Sequence, residues 1–149
     1  MVNLNHNQLT EVVLKSLMES KKTKFLIALS GGIDSILLLN IVNKICKSQE
    51  YQLRAVHVNH NMSKNSSAMQ KHCINICNKF SIELLIKDIN DSETSNIEEK
   101  LRDKRYKLIF ESMHDDEALL LGHHNNDQIE TFLYRLFRGS SPLGLSCME

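Results

Sequence analysis

The chain has 149 residues, 42% of them apolar, and 18 Lys+Arg are balanced by 18 Asp+Glu. That is the composition of one soluble domain with a single core, and it excludes a histone-like basic binder. No apolar run approaches the ~18 residues of a membrane span, and the polar start, Met1 to Gln8, carries no basic-then-apolar leader, so the chain is read as cytoplasmic with no membrane partner.

Leu9, Val12, Val13 and Leu17 recur at helical spacing and predict an opening helix over about 6–20. Lys24 to Leu29 is a short apolar run closed by Ser30-Gly31-Gly32, which predicts a buried strand. Residues 34–47 place Leu37, Leu38, Ile41, Val42 and Ile45 on one helical face; Leu53 to Val58 is a β-branched second strand. A helix over about 65–79 precedes a strand at Glu83 to Lys87, and the polar, acidic stretch Asp88 to Asn96 reads as a loop. Ser95 or Asn96 can cap a helix over roughly 97–113, whose Glu98 and Glu99 suit the positive end of its dipole. Ala118 to Gly122 is the fourth strand, followed by a helix over about 126–138 and a Gly/Ser/Pro-rich tail, Gly139 to Glu149.

Strands alternating with helices predict an α/β fold, a parallel sheet with helices on both faces. Right-handed crossovers then set every strand's C-terminal end on one edge, where open α/β sheets take ligands. Three polar clusters follow strands directly and converge there: Ser30 to Ser35, Asn59-His60-Asn61 and His123 to Glu130.

Ser30-Gly31-Gly32-Ile33-Asp34-Ser35 joins a strand to a helix. Paired glycines let backbone N–H groups approach a ligand with no Cβ in the way, and the helix start adds free donors and a positive dipole end. Ser30 and Ser35 add hydroxyl donors. The loop is neither a Walker A sequence nor a dinucleotide fingerprint. Asp34 repels a phosphate unless a metal ion intervenes, so Mg²⁺ bridging carboxylate and phosphate is expected there. The bland alternative is a tight turn with helix caps; the flanking strand and helix favour phosphate.

The cysteines and histidines invite a metal reading. Cys73 and Cys77, four apart beside His72, do not have CxxC spacing, and plain core packing is the expected role. His57, His60, His123 and His124 come from two strand ends; packing and backbone hydrogen bonds are expected of two of them, and no structural zinc is expected.

Ser30 to Ser35 resembles the SGGxDS pyrophosphate loop of the N-type ATP pyrophosphatases. The resemblance implies a Rossmann-like adenine nucleotide alpha hydrolase (PP-loop ATPase) fold that splits ATP into AMP and pyrophosphate. Further motifs narrow it. His57-Val58-Asn59-His60 resembles the HVNHGLR signature of the tRNA(Ile)-lysidine synthase family. Asn96-Ile97-Glu98, with Leu101-Arg102 and Arg105-Tyr106, resembles its N-[LI]-E…AR…RY segment. Gly122 to Thr131 is similar to [AG]HHxDDQxET, Leu133 to Gly139 to LLRLLRG, and Gly144-Leu145 and Met148 continue the match.

That family adenylates the C2 carbonyl oxygen of the wobble cytidine (C34) of a tRNA(Ile) with CAU anticodon, using ATP and Mg²⁺; free L-lysine then displaces AMP to give lysidine. Carried over residue by residue, the resemblance implies ATP binding by Ser30, Gly31, Gly32, Ile33, Asp34, Ser35, His57, Gly122 and His123. Catalytic work is expected of Asp34, Arg105, Asp127 and Glu130, with Mg²⁺ near Asp34. Arg105 is the expected phosphate-facing arginine. Asp127 and Glu130 share a helix face and could orient cytidine, hold a metal or receive the lysine ammonium; the plain alternative is helix capping. Arg135 and Arg138 could contact tRNA backbone or be surface residues.

The sequence departs from the family at Asn61-Met62-Ser63, in place of Gly-Leu-Arg, and at Asn126, in place of the first Asp of DDQ. Family members continue past residue 149, so the expectation is one PP-loop domain over 1–149, truncated at its C-terminus and without tRNA-binding C-terminal domains. Such a fragment would fold and bind ATP yet modify tRNA poorly alone; a homodimer is left open. A tRNA cytidine thiolase-like PP-loop enzyme would share the loop but carry CxxC cysteines for an iron–sulfur cluster. A non-catalytic adenine-nucleotide-binding module would share loop and fold.

Overall fold

The computed structural model describes residues 6–59, 65–89 and 97–122. Its elements run α1 (His6–Glu19), β1 (Lys24–Ala28), α2 (Ile33–Gln49), β2 (Gln52–Asn59), α3 (Ser66–Phe80), β3 (Glu83–Asp88), α4 (Ile97–Glu111) and β4 (Glu117–Leu121). Each lies within two residues of its expected position. The expected helix over 126–138 and the tail lie outside the described residues.

The four strands form one parallel sheet in the order β3-β2-β1-β4. Strand side chains alternate between faces, so the apolar runs supply two cores. Phe25, Ile27 and Leu29, with Ala55, Ala118 and Leu120, pack against Val13 and Leu17 of α1, the stripe Leu38, Leu39, Ile41, Val42, Ile45 and Cys46 of α2, and Cys73 and Cys77 of α3. On the other face, Leu26, Val56 and Leu119 meet Ile109, with Ala28, Val58, Leu85, Phe110, Met113 and Leu121 around them. Helices therefore cover both faces, as expected.

One position departs from the predicted α2 face: Leu37 is 41% exposed. Successive helical residues are about 100° apart, so a stripe centred on Leu38, Ile41, Val42 and Ile45 turns Leu37 toward solvent.

Helices α2 and α3 both end in the left-handed conformation, at Glu50 (φ 56°) and Ser81 (φ 57°). Their amides return to Cys46 O and to Cys77 and Asn78 O, turning the chain straight into β2 and β3.

At the N-terminal edge of the sheet, Arg54 of β2 reaches across β1 to Glu117 of β4. Arg54 Nε donates to Glu117 Oε1 at 2.7 Å and Nη2 to Oε2 at 2.8 Å, while Nη2 also donates to the Ser112 carbonyl at 3.1 Å. The His114 amide donates to Glu117 Oε2 at 2.8 Å. Burial alone would raise the Glu117 pKa; Arg54 and the His114 amide outweigh it, and the carboxyl is held below its ordinary value.

Candidate functional site

The strand order creates a crevice. From β1 the chain crosses through α2 to β2 on one side; from β3 it returns through α4 to place β4 on the other side of β1. Beyond the C-terminal ends of β1 and β4 lies the point where open α/β sheets bind ligands. The expected loop occupies it.

Gly31 has φ +87°, a conformation that only glycine adopts freely. A Cβ there would lie 3.3 Å from Cys73 Sγ and 3.4 Å from Met69 Cβ, so α3 supports the loop from beneath. Gly32 is the N-cap of α2, extended at φ −74°, ψ 161°, with no side-chain cap hydrogen bond. The first-turn amides of α2 have no acceptors within the helix. The Gly32 amide donates to Ser30 Oγ (3.3 Å), Ser30 Oγ to Ser35 Oγ (3.0 Å), and Ser35 Oγ to the Gly32 carbonyl (2.9 Å). Both hydroxyls thus brace the loop, and Ser35 is 1% exposed. Asp34 is half-buried in the first turn, and Ile33 is 85% exposed.

Gly122 follows β4 directly, and a Cβ there would stand 2.9 Å from Ser35 Cα. The two strand ends meet as backbone against backbone, which explains a glycine at 122.

A cleft of about 160 Å³ opens beside this junction. Ala28, Val56 and Val58 from the strand ends and Ile109 from α4 give it an apolar side; Leu29, Ser30, His57, Asn59, Ser66, Met69, Arg105 and Gly122 complete it. His57 is 4% exposed, and its Nδ1 lies 2.7 Å from the Leu29 carbonyl and 3.6 Å from Cys73 Sγ. Arg105, half-buried, has its guanidinium carbon 5.7 Å from the Tyr106 ring centroid. Its Nε is buried with no hydrogen-bond partner among the described residues. A buried donor without an acceptor is costly unless a ligand supplies one.

The structure therefore brings together Ser30 to Ser35, His57, Arg105 and Gly122. His123, Asp127, Glu130, Arg135 and Arg138 lie outside the described residues, as do His60, His124, Asn61 to Ser63 and Asn126. Sequence reasoning missed the α3 contribution, Ser66 and Met69, and the apolar side from Val56, Val58 and Ile109. The β-branched run of β2 marked those valines as strand residues; nothing local marked the start of α3, with Ser66 lying 36 residues after Ser30, as a neighbour of the loop. Among the described residues no group of three His, Cys, Asp or Glu could hold a metal ion. One carboxylate, Asp34, fits a Mg²⁺ ion that takes its other ligands from phosphates and water. Cys73 and Cys77 are 0% and 1% exposed, and burial pushes both thiols up to about 11. They are core residues, poorly suited to giving thiolate ligands.

Over residues 4–149 the chain matches the PP-loop domain family. It is 46% identical over 139 residues to the tRNA(Ile)-lysidine synthase of Buchnera aphidicola subsp. Acyrthosiphon pisum (strain APS), a match covering 92% of this chain and 32% of that protein. To the tRNA(Ile)-lysidine synthase of Haemophilus influenzae (strain 86-028NP) it is 41% identical over 139 residues, covering 91% and 32%. The chain spans about a third of the length of the curated relatives it matches. Among solved structures it resembles the U34-tRNA thiolase NcsA from Methanococcus maripaludis, with TM-score 0.58 and 20% identity over 79% of this chain and 46% of that one. This last likeness shows a shared fold.

Proposed function

The chain belongs to the PP-loop domain family, and on that premise we propose that it forms the ATP-binding, N-terminal part of a tRNA(Ile)-lysidine synthase. One observation carries the reading: a helix start without a side-chain cap among the described residues opens behind Gly31-Gly32 at the sheet's switch point, beside a buried Arg105 Nε that has no acceptor among those residues. Backbone donors, a dipole end and a guanidinium fit a polyphosphate. The identity to lysidine synthases supports this reaction over others that use the same loop.

In that reaction the C2 carbonyl oxygen of C34 attacks the α-phosphorus of ATP and pyrophosphate leaves. The amine of free L-lysine then attacks C2, the C2–O bond breaks and AMP departs. The first-turn amides of α2 hold the departing pyrophosphate, and Arg105 offsets charge developing on the phosphates. The apolar side formed by Ala28, Val56, Val58 and Ile109 suits a flat ring. The cleft is smaller than the ~300–1,000 Å³ of whole-ligand pockets, so the triphosphate lies over the open loop. Asp34 would hold Mg²⁺, which when bound neutralises phosphate charge. Asp127 and Glu130 are assigned to orienting cytidine or receiving the lysine ammonium, and Arg135 and Arg138 to tRNA backbone. Lysine, the CAU-anticodon tRNA and a cytoplasmic setting belong to this proposal. So does the view of the chain as one PP-loop domain to which tRNA-binding domains are added.

Calorimetric titration of ATP·Mg²⁺ into the 149-residue chain, with GTP as control, tests the first step. ATP-selective binding that Asp34→Ala weakens at least about tenfold, as expected for loss of a metal-linked charge contact, is the expected result. A folded chain that binds neither nucleotide would overturn the reading. Binding without pyrophosphate release, once tRNA, lysine and the remaining length of the relatives are supplied, would favour the nucleotide-binding module.

A further inference from the structure

Leu29 to Gly31 make the turn by which β1 leaves the sheet for the phosphate loop, and both ends of that turn lead back to one side chain of α3. Gly31 has φ +87°, and a Cβ on it would stand 3.3 Å from Cys73 Sγ. At the other end, the Leu29 carbonyl lies 2.7 Å from His57 Nδ1. A carbonyl only accepts, so Nδ1 carries the proton and donates it. Alternation along β2 turns His57 to the face of Ala55, which α3 helps to cover. There Nδ1 lies 3.6 Å from Cys73 Sγ. Cys73 is 0% exposed, in a core whose neighbouring Leu29 and Leu39 are 2% and 0% exposed. Interiors packed to that density pass a change of one methyl group on to whatever lies against it. What lies against Cys73 is the loop.

We infer that Cys73 is a positioning residue for the phosphate loop: its single γ atom sets the height of Gly31 directly and, through His57, that of the Leu29 carbonyl. This rests on the ATP-binding reading of the loop and deepens it. Hydrogen bonds to a phosphate depend steeply on distance and angle, and a site works only while its donors are held to within about half an ångström. A side chain that never touches the nucleotide thus governs how well the loop amides receive it. Cys77 supplies a comparison within the same helix. It is 1% exposed in the same core, one turn or about 5.4 Å further along α3. Ser66 and Met69, which line the cleft, lie in the opposite direction from Cys73.

The test measures ATP·Mg²⁺ affinity by calorimetry, with folding and melting temperature of each variant followed by circular dichroism. Cys73→Val adds a second γ atom beneath Gly31, and Cys73→Ala removes the one present. Cys73→Ser keeps one, its hydroxyl able to donate to the carbonyl four residues back. Cys77→Val and Cys77→Ala make the same changes of volume in the same core, and so lower stability by the same mechanisms. Cys73→Val and Cys73→Ala should bind ATP about tenfold more weakly than wild type, as loss of one hydrogen bond to a charged group does. Cys73→Ser should recover part of that loss. The two Cys77 variants should stay within about twofold of wild type, as expected of a site that shares no partner with the loop. If Cys73→Val does not fold, Cys73→Ala against Cys77→Ala decides. Affinities that follow melting temperature alone, each Cys73 variant matching its Cys77 counterpart, overturn this inference and leave the nucleotide reading standing. A folded wild type that binds no ATP removes both.

Discussion

Ser35 sits where two backbones come within contact of each other, and much of the site depends on the absence of a side chain opposite it. Placing a methyl group at 122 drives it to 2.9 Å from Ser35 Cα. Gly122→Ala is therefore expected to cost about 1–3 kcal/mol, as overpacking against groups that cannot yield does. In thermal unfolding that is a fall of about 2–4 °C per kcal/mol for a chain of this size. Gly31→Ala adds the strain of a side chain at φ +87° to a contact with Cys73 and should weaken ATP binding more than it lowers stability. The buried thiols have a different signature. Burial raises Cys46 to about 12 and Cys73 and Cys77 to about 11. A thiol whose folded pKa exceeds its unfolded value binds its proton more tightly when folded, so its contribution is present below the unfolded value, about 8.5, and is lost as pH rises toward 11–12. Denaturant melts between pH 8 and 10.5 should show falling stability, and Ellman's reagent should label these three cysteines only as the chain unfolds. The glycine pair and its flanking serines were legible in the sequence because a phosphate loop is a local motif. The Arg105 Nε, buried with no partner among the described residues, was not, since the burial of one atom depends on neighbours distant in sequence.

Elements were legible nearly to the residue, because periodicity within ten to fifteen positions marks each of them. Leu37 shows the limit of such patterning: apolar spacing names a stripe but not its centre. What joins elements was harder to read. Arg54 and Glu117 are 63 positions apart and on strands that are not neighbours, yet they form a two-pronged ion pair that also anchors the α4–β4 turn through Ser112 and His114. Glu117→Gln takes the two-pronged partner from a largely buried guanidinium, which keeps Glu83 at 3.7 Å, and is expected to cost about 1–3 kcal/mol. Because the Glu117 pKa is lowered in the fold, its contribution is complete above the ordinary glutamate value of about 4.3 and is lost as pH falls through the folded value. Urea unfolding from pH 6 down to pH 3 should show wild-type stability dropping below about pH 4.3, with Glu117→Gln showing a shallower decline.

At the scale of the whole molecule, alternation of strands and helices announced a parallel sheet, but not on which side of β1 the fourth strand would pair; each order buries the same apolar runs. The order β3-β2-β1-β4 makes the site a junction of distant sequence, residues 28–35 with 56–59, 105–109 and 122. Ligand should accordingly stabilise the molecule as a unit: at ATP·Mg²⁺ near 100 times its dissociation constant, about 2.7 kcal/mol, seen as a rise of about 5–10 °C in melting temperature. The same order has a consequence for a chain emerging from a ribosome. Residues through 59 can pair β1 with β2 as a local unit, while the other margin of β1, carrying Phe25, Leu26 and Ile27, stays open until residues 117–121 arrive. For nearly sixty residues of synthesis the nascent chain displays an apolar, unpaired strand margin, the kind that templates mispairing. Occupancy of the phosphate loop would then mark the moment at which β4 has closed that margin.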